Sequence, residues 1–172
     1  MRRSLLPLLT AMVLSACAAG ERTGTSSAAA TLPGPVTYEV SSWGRLLTHW
    51  QVNPDGSGEF WRGSGLGKGE GDVSKYRMTL PPEALRAFAA AVEPIRTRTA
   101  KDVKCRDEIT DMPYGAITWD YPGARQNYAF NGGCLSPEAD AVREQLRAAH
   151  DLVEKRAAIE PKPYIVERPS NR

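Results

Sequence analysis

Few groups in this 172-residue chain could do chemistry: three cysteines, two histidines and a local crowd of carboxylates. The carboxylates are Asp102, Asp107, Glu108, Asp111 and Asp120, gathered around Cys105. Such a set can bind a hard cation through oxygen ligands, or divide into a general acid and a general base. Lys101, Lys104 and Arg106 are interleaved with them, the pattern of a solvated loop. Within this stretch Asp111-Met112-Pro113-Tyr114-Gly115 stands apart, because loops carry function more often than cores do. Asp111 and Tyr114 are therefore candidate binding residues, with no chemistry assigned to them.

Nucleophilic catalysis finds little support. A serine–histidine–acid triad would have to use His49 or His150. His49 lies mid-strand beside Trp50, and His150 lies one position from the apolar stripe of a helical run. Gly63-Ser64-Gly65 lacks the spacing of a nucleophile elbow. Asn53-x-Asp55-x-Ser57-Gly58 matches the early positions of a calcium loop of the EF-hand type. Its twelfth position, however, is Ser64 rather than a bidentate Glu, and strand-like runs flank it, so it reads as a hairpin turn. The glycines at 63, 65, 67, 69 and 71 read as a loop. Glu70 stands where a dinucleotide fingerprint needs its third glycine, and Gly69 follows Lys68 where a phosphate loop needs Ser or Thr. Trp43, Trp50, Trp61 and Trp119 are packing residues or the lining of a ligand groove or partner surface, where Trp is enriched. Trp43 and Trp61 are kept as binding candidates. No catalytic, cofactor-binding or metal-binding residue is assigned, and no cofactor is expected.

The elements that must position these residues follow from periodicity. Residues 36–43 and 46–53 alternate and are rich in β-branched and aromatic types, as strands are. Asn53 to Gly58 is turn chemistry, after which 59–62 returns as a partner strand. Residues 73–80 form another strand. Pro81 and Pro82 suit the first turn of a helix over about 82–93, which Pro94 should end. A second β region spans about 103–131, with clear strands at 116–121 and 126–131 joined by Pro122-Gly123. Ser136 as cap and Pro137 at the first position open the last helix, striped by Val142, Leu146, Ala149 and Val153. The fold class expected is α+β: an antiparallel sheet of about six or seven strands with two helices on one face.

The amino terminus carries a more specific signal. Met1-Arg2-Arg3 precedes an apolar run from Leu5 to Leu14, too short to span a bilayer. A charged start, a short apolar core and small residues before a cut site mark a secretory signal. The run closes on Leu14-Ser15-Ala16-Cys17, which resembles the lipobox of bacterial lipoproteins. That resemblance implies removal of residues 1–16 and acylation of Cys17, whose acyl chains would hold the chain to a membrane. It also implies that Ala18, in place of Asp, favours the outer membrane's periplasmic leaflet. Residues 17–35, rich in Ala, Ser, Thr and Gly, then form a flexible tether. A single domain over 36–158 and a Pro-rich tail over 159–172 without packed structure complete the division.

With Cys17 acylated and the chain exported to an oxidising compartment, Cys105 and Cys134 are left as one disulfide. A redox pair would show closer spacing, and a zinc site would need more Cys or His nearby. Removing Arg2 and Arg3 from the 22 basic residues balances them against the 20 acidic ones. No basic footprint for nucleic acid therefore remains. The functional expectation is a lipid-anchored cell-envelope protein with a non-catalytic domain that binds an envelope protein or cell-wall component. An inhibitor of a secreted hydrolase is one form of this, and an enzyme built on the acidic loop is the competing class.

Overall fold

Alternation builds the first strand. β1 (Val36–Ser42) buries Val36, Tyr38, Val40 and Ser42 on one face and exposes Glu39 on the other. β2 (Arg45–Val52) returns antiparallel to it. Their register shifts between Val40 and Ser41, leaving Leu47 unopposed; such a bulge bends the hairpin and raises its twist. β3 (Ser57–Gly63) follows the Asn53–Ser57 turn. There the Asp55 carboxylate accepts from the Ser57 N–H at 2.9 Å and from its hydroxyl at 2.7 Å. These bonds hold the Asp55 carboxyl below the usual carboxylate range. The calcium-like spacing is thus a tight turn. β4 (Val73–Thr79) completes an antiparallel run of four strands.

The computed structural model describes residues 32–65, 71–98 and 103–168. The signal segment, Cys17, the tether up to residue 31, Gly67, Gly69, Asp102 and residues 169–172 lie outside the described residues.

α1 (Pro82–Arg96) begins as expected but runs through Pro94 instead of ending before it. So close to the helix end, the ring removes one backbone bond, whereas stopping there would forfeit Ile95, which is fully buried. β5 (Asp107–Glu108), β6 (Tyr114–Tyr121), β7 (Ala124–Asn131) and β8 (Cys134–Leu135) come next. α2 (Pro137–Ala157) starts at Ser136, whose hydroxyl accepts from the Ala139 N–H at 3.2 Å. β9 (Ile165–Glu167) ends the described chain's regular structure. The main sheet runs β7-β6-β1-β2-β3-β4-β9 with every neighbour antiparallel, and β5 pairs with β8 separately. Both helices pack on one face of the sheet, so the fold is α+β as expected. Trp50 and Trp119 are core: Trp50 stacks on Tyr38 at 4.9 Å and meets Phe88 edge-on at 5.2 Å.

Two boundaries differ from expectation. Leu32, assigned to the tether, is buried in the core, and the Asp120 N–H donates to the Pro35 carbonyl at 2.9 Å. The packed chain therefore includes residues 32–35. The tail, expected to lack packed structure, supplies β9 to the free edge of β4. Backbone pairing makes that strand, since all three of its side chains are exposed. The Tyr164 hydroxyl adds a bond to Glu59 at 2.9 Å.

Candidate functional site

Ser42 opposes Arg45, so Trp43 and Gly44 alone connect β1 to β2. Both have left-handed backbone, φ 52° and 72°, as in the two-residue hairpin turn that needs positive φ at both central positions. Gly44 takes this conformation without a Cβ. Trp43 takes it with the largest side chain available, a disfavoured choice for a bulky residue. The residue is 71% exposed at the tip. The sequence pattern placed Trp43 in the strand; the tight turn moves it onto the apex.

A second wall comes from the loop between β5 and β6. The Cys105–Cys134 disulfide, with Cα atoms 5.0 Å apart, and the β5–β8 ladder brace its near end. The Ile109 N–H donates to the Gly133 carbonyl at 2.9 Å, and the Gly132 N–H to the Pro113 carbonyl at 2.8 Å. Asp111, between them, is the other non-glycine residue with left-handed backbone among those described, φ 63°. The frame presents Asp111, Met112 and Tyr114 beside the hairpin tip. With Ser42 and Trp43 they line an open hollow of about 250 Å³. Three of the four sequence candidates, Trp43, Asp111 and Tyr114, thus converge although β1 and β6 are far apart in the chain. Their convergence follows from the pairing of β6 with β1, Ser41 lying opposite Tyr114.

Met112, which is exposed, also belongs to the next feature: a groove of about 560 Å³ between the sheet and α2. Its floor is Tyr38, Val40, Phe130 and Leu146. Phe130 covers Gly115, where a Cβ would come within 2.8 Å of the ring, and stacks on Tyr38 at 5.8 Å. Burial pushes the Tyr38 hydroxyl up to about 12, so it stays neutral. The rim on α2 carries Asp140, Arg143, Glu144, Arg147 and His150. Arg143 binds the Asp140 carboxylate and, at 2.6 Å, the Cys134 carbonyl, while Arg147 binds Glu144. Sequence reading missed this groove and its rim: on α2 alone these charges look like an ordinary solvated face.

The remaining candidates are elsewhere. Trp61 lies on the sheet face away from the helices, stacked on His49 at 4.2 Å with the Lys75 ammonium 3.8 Å from its ring centre. Its indole N–H donates to Glu59 at 3.1 Å, so the ring is held in a row of cross-strand neighbours. His150 is on the opposite face, packed near Tyr38 and Phe60. The two histidines therefore share no site. Glu108 accepts from Asn131, and Asp120 sits at the far end of β6 from Asp111. Asp120 lies six positions along the strand from Tyr114, roughly 20 Å. Among the described residues, no three of His, Cys, Asp and Glu gather where they could hold a metal.

Compared with known proteins, the chain matches no family model and no curated protein. The Trp43 end offers aromatic and thioether contact area, one carboxylate and a frame braced by a disulfide. These suit contact with a partner, since Trp, Tyr and Met are enriched at the centres of interfaces.

Proposed function

We propose that this chain is a lipid-anchored cell-envelope protein whose domain is a non-catalytic interaction module, with the Trp43–Asp111–Tyr114 hollow as its contact surface. One observation carries the reading. The two described non-glycine residues with left-handed backbone, Trp43 and Asp111, line the same exposed aromatic hollow. Trp43 holds a backbone conformation that a bulky residue disfavours, whereas Asp tolerates it; such strain persists where the surroundings over-determine it, and strained residues cluster at functional sites. The lipobox at Cys17 supports the anchor, and the Cys105–Cys134 disulfide supports export, because such bonds persist in oxidising compartments. Ala18 favours the outer membrane's periplasmic side. Among the described residues no helix is long and apolar enough to cross a membrane.

Two experiments test this. Cys17→Ser should release the protein from the membrane fraction; unchanged fractionation together with no acyl label on the wild type would overturn the anchor. A photocrosslinking amino acid at position 43 should give a defined adduct in intact cells, whereas one at exposed position 83 on α1 should not. Equal adducts at both positions, or none at 43, would overturn the contact surface.

A further inference from the structure

Eight large apolar residues are exposed among those described. Ile159, Tyr164, Ile165 and Val166 belong to one stretch that follows α2 and leads into the β9 edge. Trp43, Ile109, Met112 and Tyr114 come instead from two segments far apart in the chain, the β1–β2 turn and the loop entering β6. The pairing of β6 with β1 brings those segments to one end of the sheet. Trp43 is at the apex of its hairpin, where a two-residue turn leaves its side chain mostly exposed. Tryptophan and tyrosine, each with an apolar body and a polar handle, are the residues enriched where a bilayer's hydrocarbon meets its headgroups.

Charge narrows the kind of surface. The lining of the hollow is Ser42, Trp43, Asp111, Met112 and Tyr114, with one carboxylate and no cation. Such a lining has nothing with which to attract anionic headgroups, so apolar area must supply the binding. Asp111 also sets a depth, because an ionised carboxylate in hydrocarbon is costly. Insertion stops where Asp111 meets the headgroups.

The chain outside the described residues is long enough for this. From the anchor proposed at Cys17, fifteen residues, 17–31, lead to the buried Leu32. They reach at most about 50 Å. Beyond Leu32, the seven residues of β1 carry the chain about 20 Å to the tip. Acyl chains and hairpin tip can therefore enter one bilayer. Once the anchor holds the domain there, the second contact is intramolecular, and a small apolar area suffices for it.

Resting on the reading of this end as a contact surface, we propose that its partner is the bilayer that holds the acyl anchor, entered to headgroup depth by Trp43, Met112, Tyr114 and Ile109.

Fluorescence of the acylated mature chain, reconstituted in phosphatidylcholine vesicles, tests this. Bromine atoms on the lipid acyl chains quench an indole in contact with them. Trp50 and Trp119 are buried in the core, and Trp61 is packed between His49 and Lys75. Emission should therefore fall in brominated vesicles relative to plain ones, and Trp43→Phe should abolish that fall. Met112→Glu, which keeps the reporter but adds a charge beside it, should lose most of it. Replacing part of the lipid by phosphatidylglycerol, or raising the salt, should leave the quenching of the parent unchanged. Circular dichroism checks that the variants fold; Trp43→Phe set against the parent decides even if Met112→Glu does not. An unquenched parent, a Trp43→Phe variant quenched as strongly as the parent, a folded Met112→Glu variant quenched in full, or quenching that requires anionic lipid overturns the insertion. An unquenched parent that still gives a protein adduct at position 43 in cells leaves the contact surface standing and assigns it to a protein. No quenching and no adduct overturns both.

Discussion

Trp43 and Asp111, one on a hairpin tip and the other in the loop entering β6, both hold left-handed backbone and line the same hollow. Asp tolerates this conformation; Trp does not, because its Cβ crowds the backbone. The turn is thus built for Asn or Gly at position 43 and carries Trp instead. Trp43→Asn should therefore raise stability by about 0.5–1 kcal/mol, a rise of a few degrees in melting temperature for a domain of this size. The same variant should lose the position-43 contact. Thermal melts decide the matter: a variant that melts lower than the parent would show that the ring contributes more to the fold than its backbone costs.

The disulfide braces the other wall of the hollow. Cys105 and Cys134 are 29 positions apart; closing a loop of that length stabilises by about 3–4 kcal/mol in the chain-entropy model. Replacing both by Ser should lower the urea midpoint accordingly. The same change should also free the β5–β8 ladder, so amides from Ile109 to Tyr114 should exchange faster than those of β1 or β2. Unchanged exchange in that loop, measured by mass spectrometry, would mean that the backbone bonds to Gly132 and Gly133 suffice to hold it.

Position 56 tests the turn chemistry that the sequence displays most openly. Gly56 has φ 84°, and a Cβ there would meet the Leu80 carbonyl oxygen at 2.5 Å. Gly56→Ala adds left-handed strain to a clash with rigid backbone, so it should cost about 2 kcal/mol or more. Gly44→Ala is the control: its φ of 72° is similar, but nothing lies within 4 Å of the added carbon. Its cost should be about 1 kcal/mol, from strain alone. Equal losses in chemical denaturation would remove the Leu80 contact from the explanation.

What was readable in the chain follows the same physics. β1 was readable because one face is buried and the other wet, which forces alternation. The last helix was readable because Ser136-Pro137 is a start signal that works locally. β9 was not, because its exposed side chains carry no pattern and only backbone bonds hold it to β4. Trp43, Asp111 and Tyr114 could be chosen by residue type, but their meeting depends on β6 lying beside β1, and strand order leaves no trace in periodicity. Trp61 met the same criteria and is held between His49 and Lys75 instead, an outcome set by cross-strand register.

His49 gives the fold a pH dependence with a definite sign. Burial between the strands pushes its imidazole below the ordinary value, with the Glu39 carboxylate opposing the shift from 3.6 Å, too long for a hydrogen bond. The unfolded chain therefore binds this proton at higher pH than the folded one does. Stability from this group is full above the ordinary histidine range, about 6.5, and falls as pH drops from there toward the folded value. Below the folded value the loss levels off. His49→Phe keeps a ring against Trp61 and removes the titration, so its melting temperature should fall less than the parent's between neutral and mildly acidic buffer. Glu39→Gln should act oppositely: without the carboxylate the folded imidazole is harder still to protonate, so the acid-induced fall grows. A fall of the same size in all three proteins would show that His49 does not set the slope.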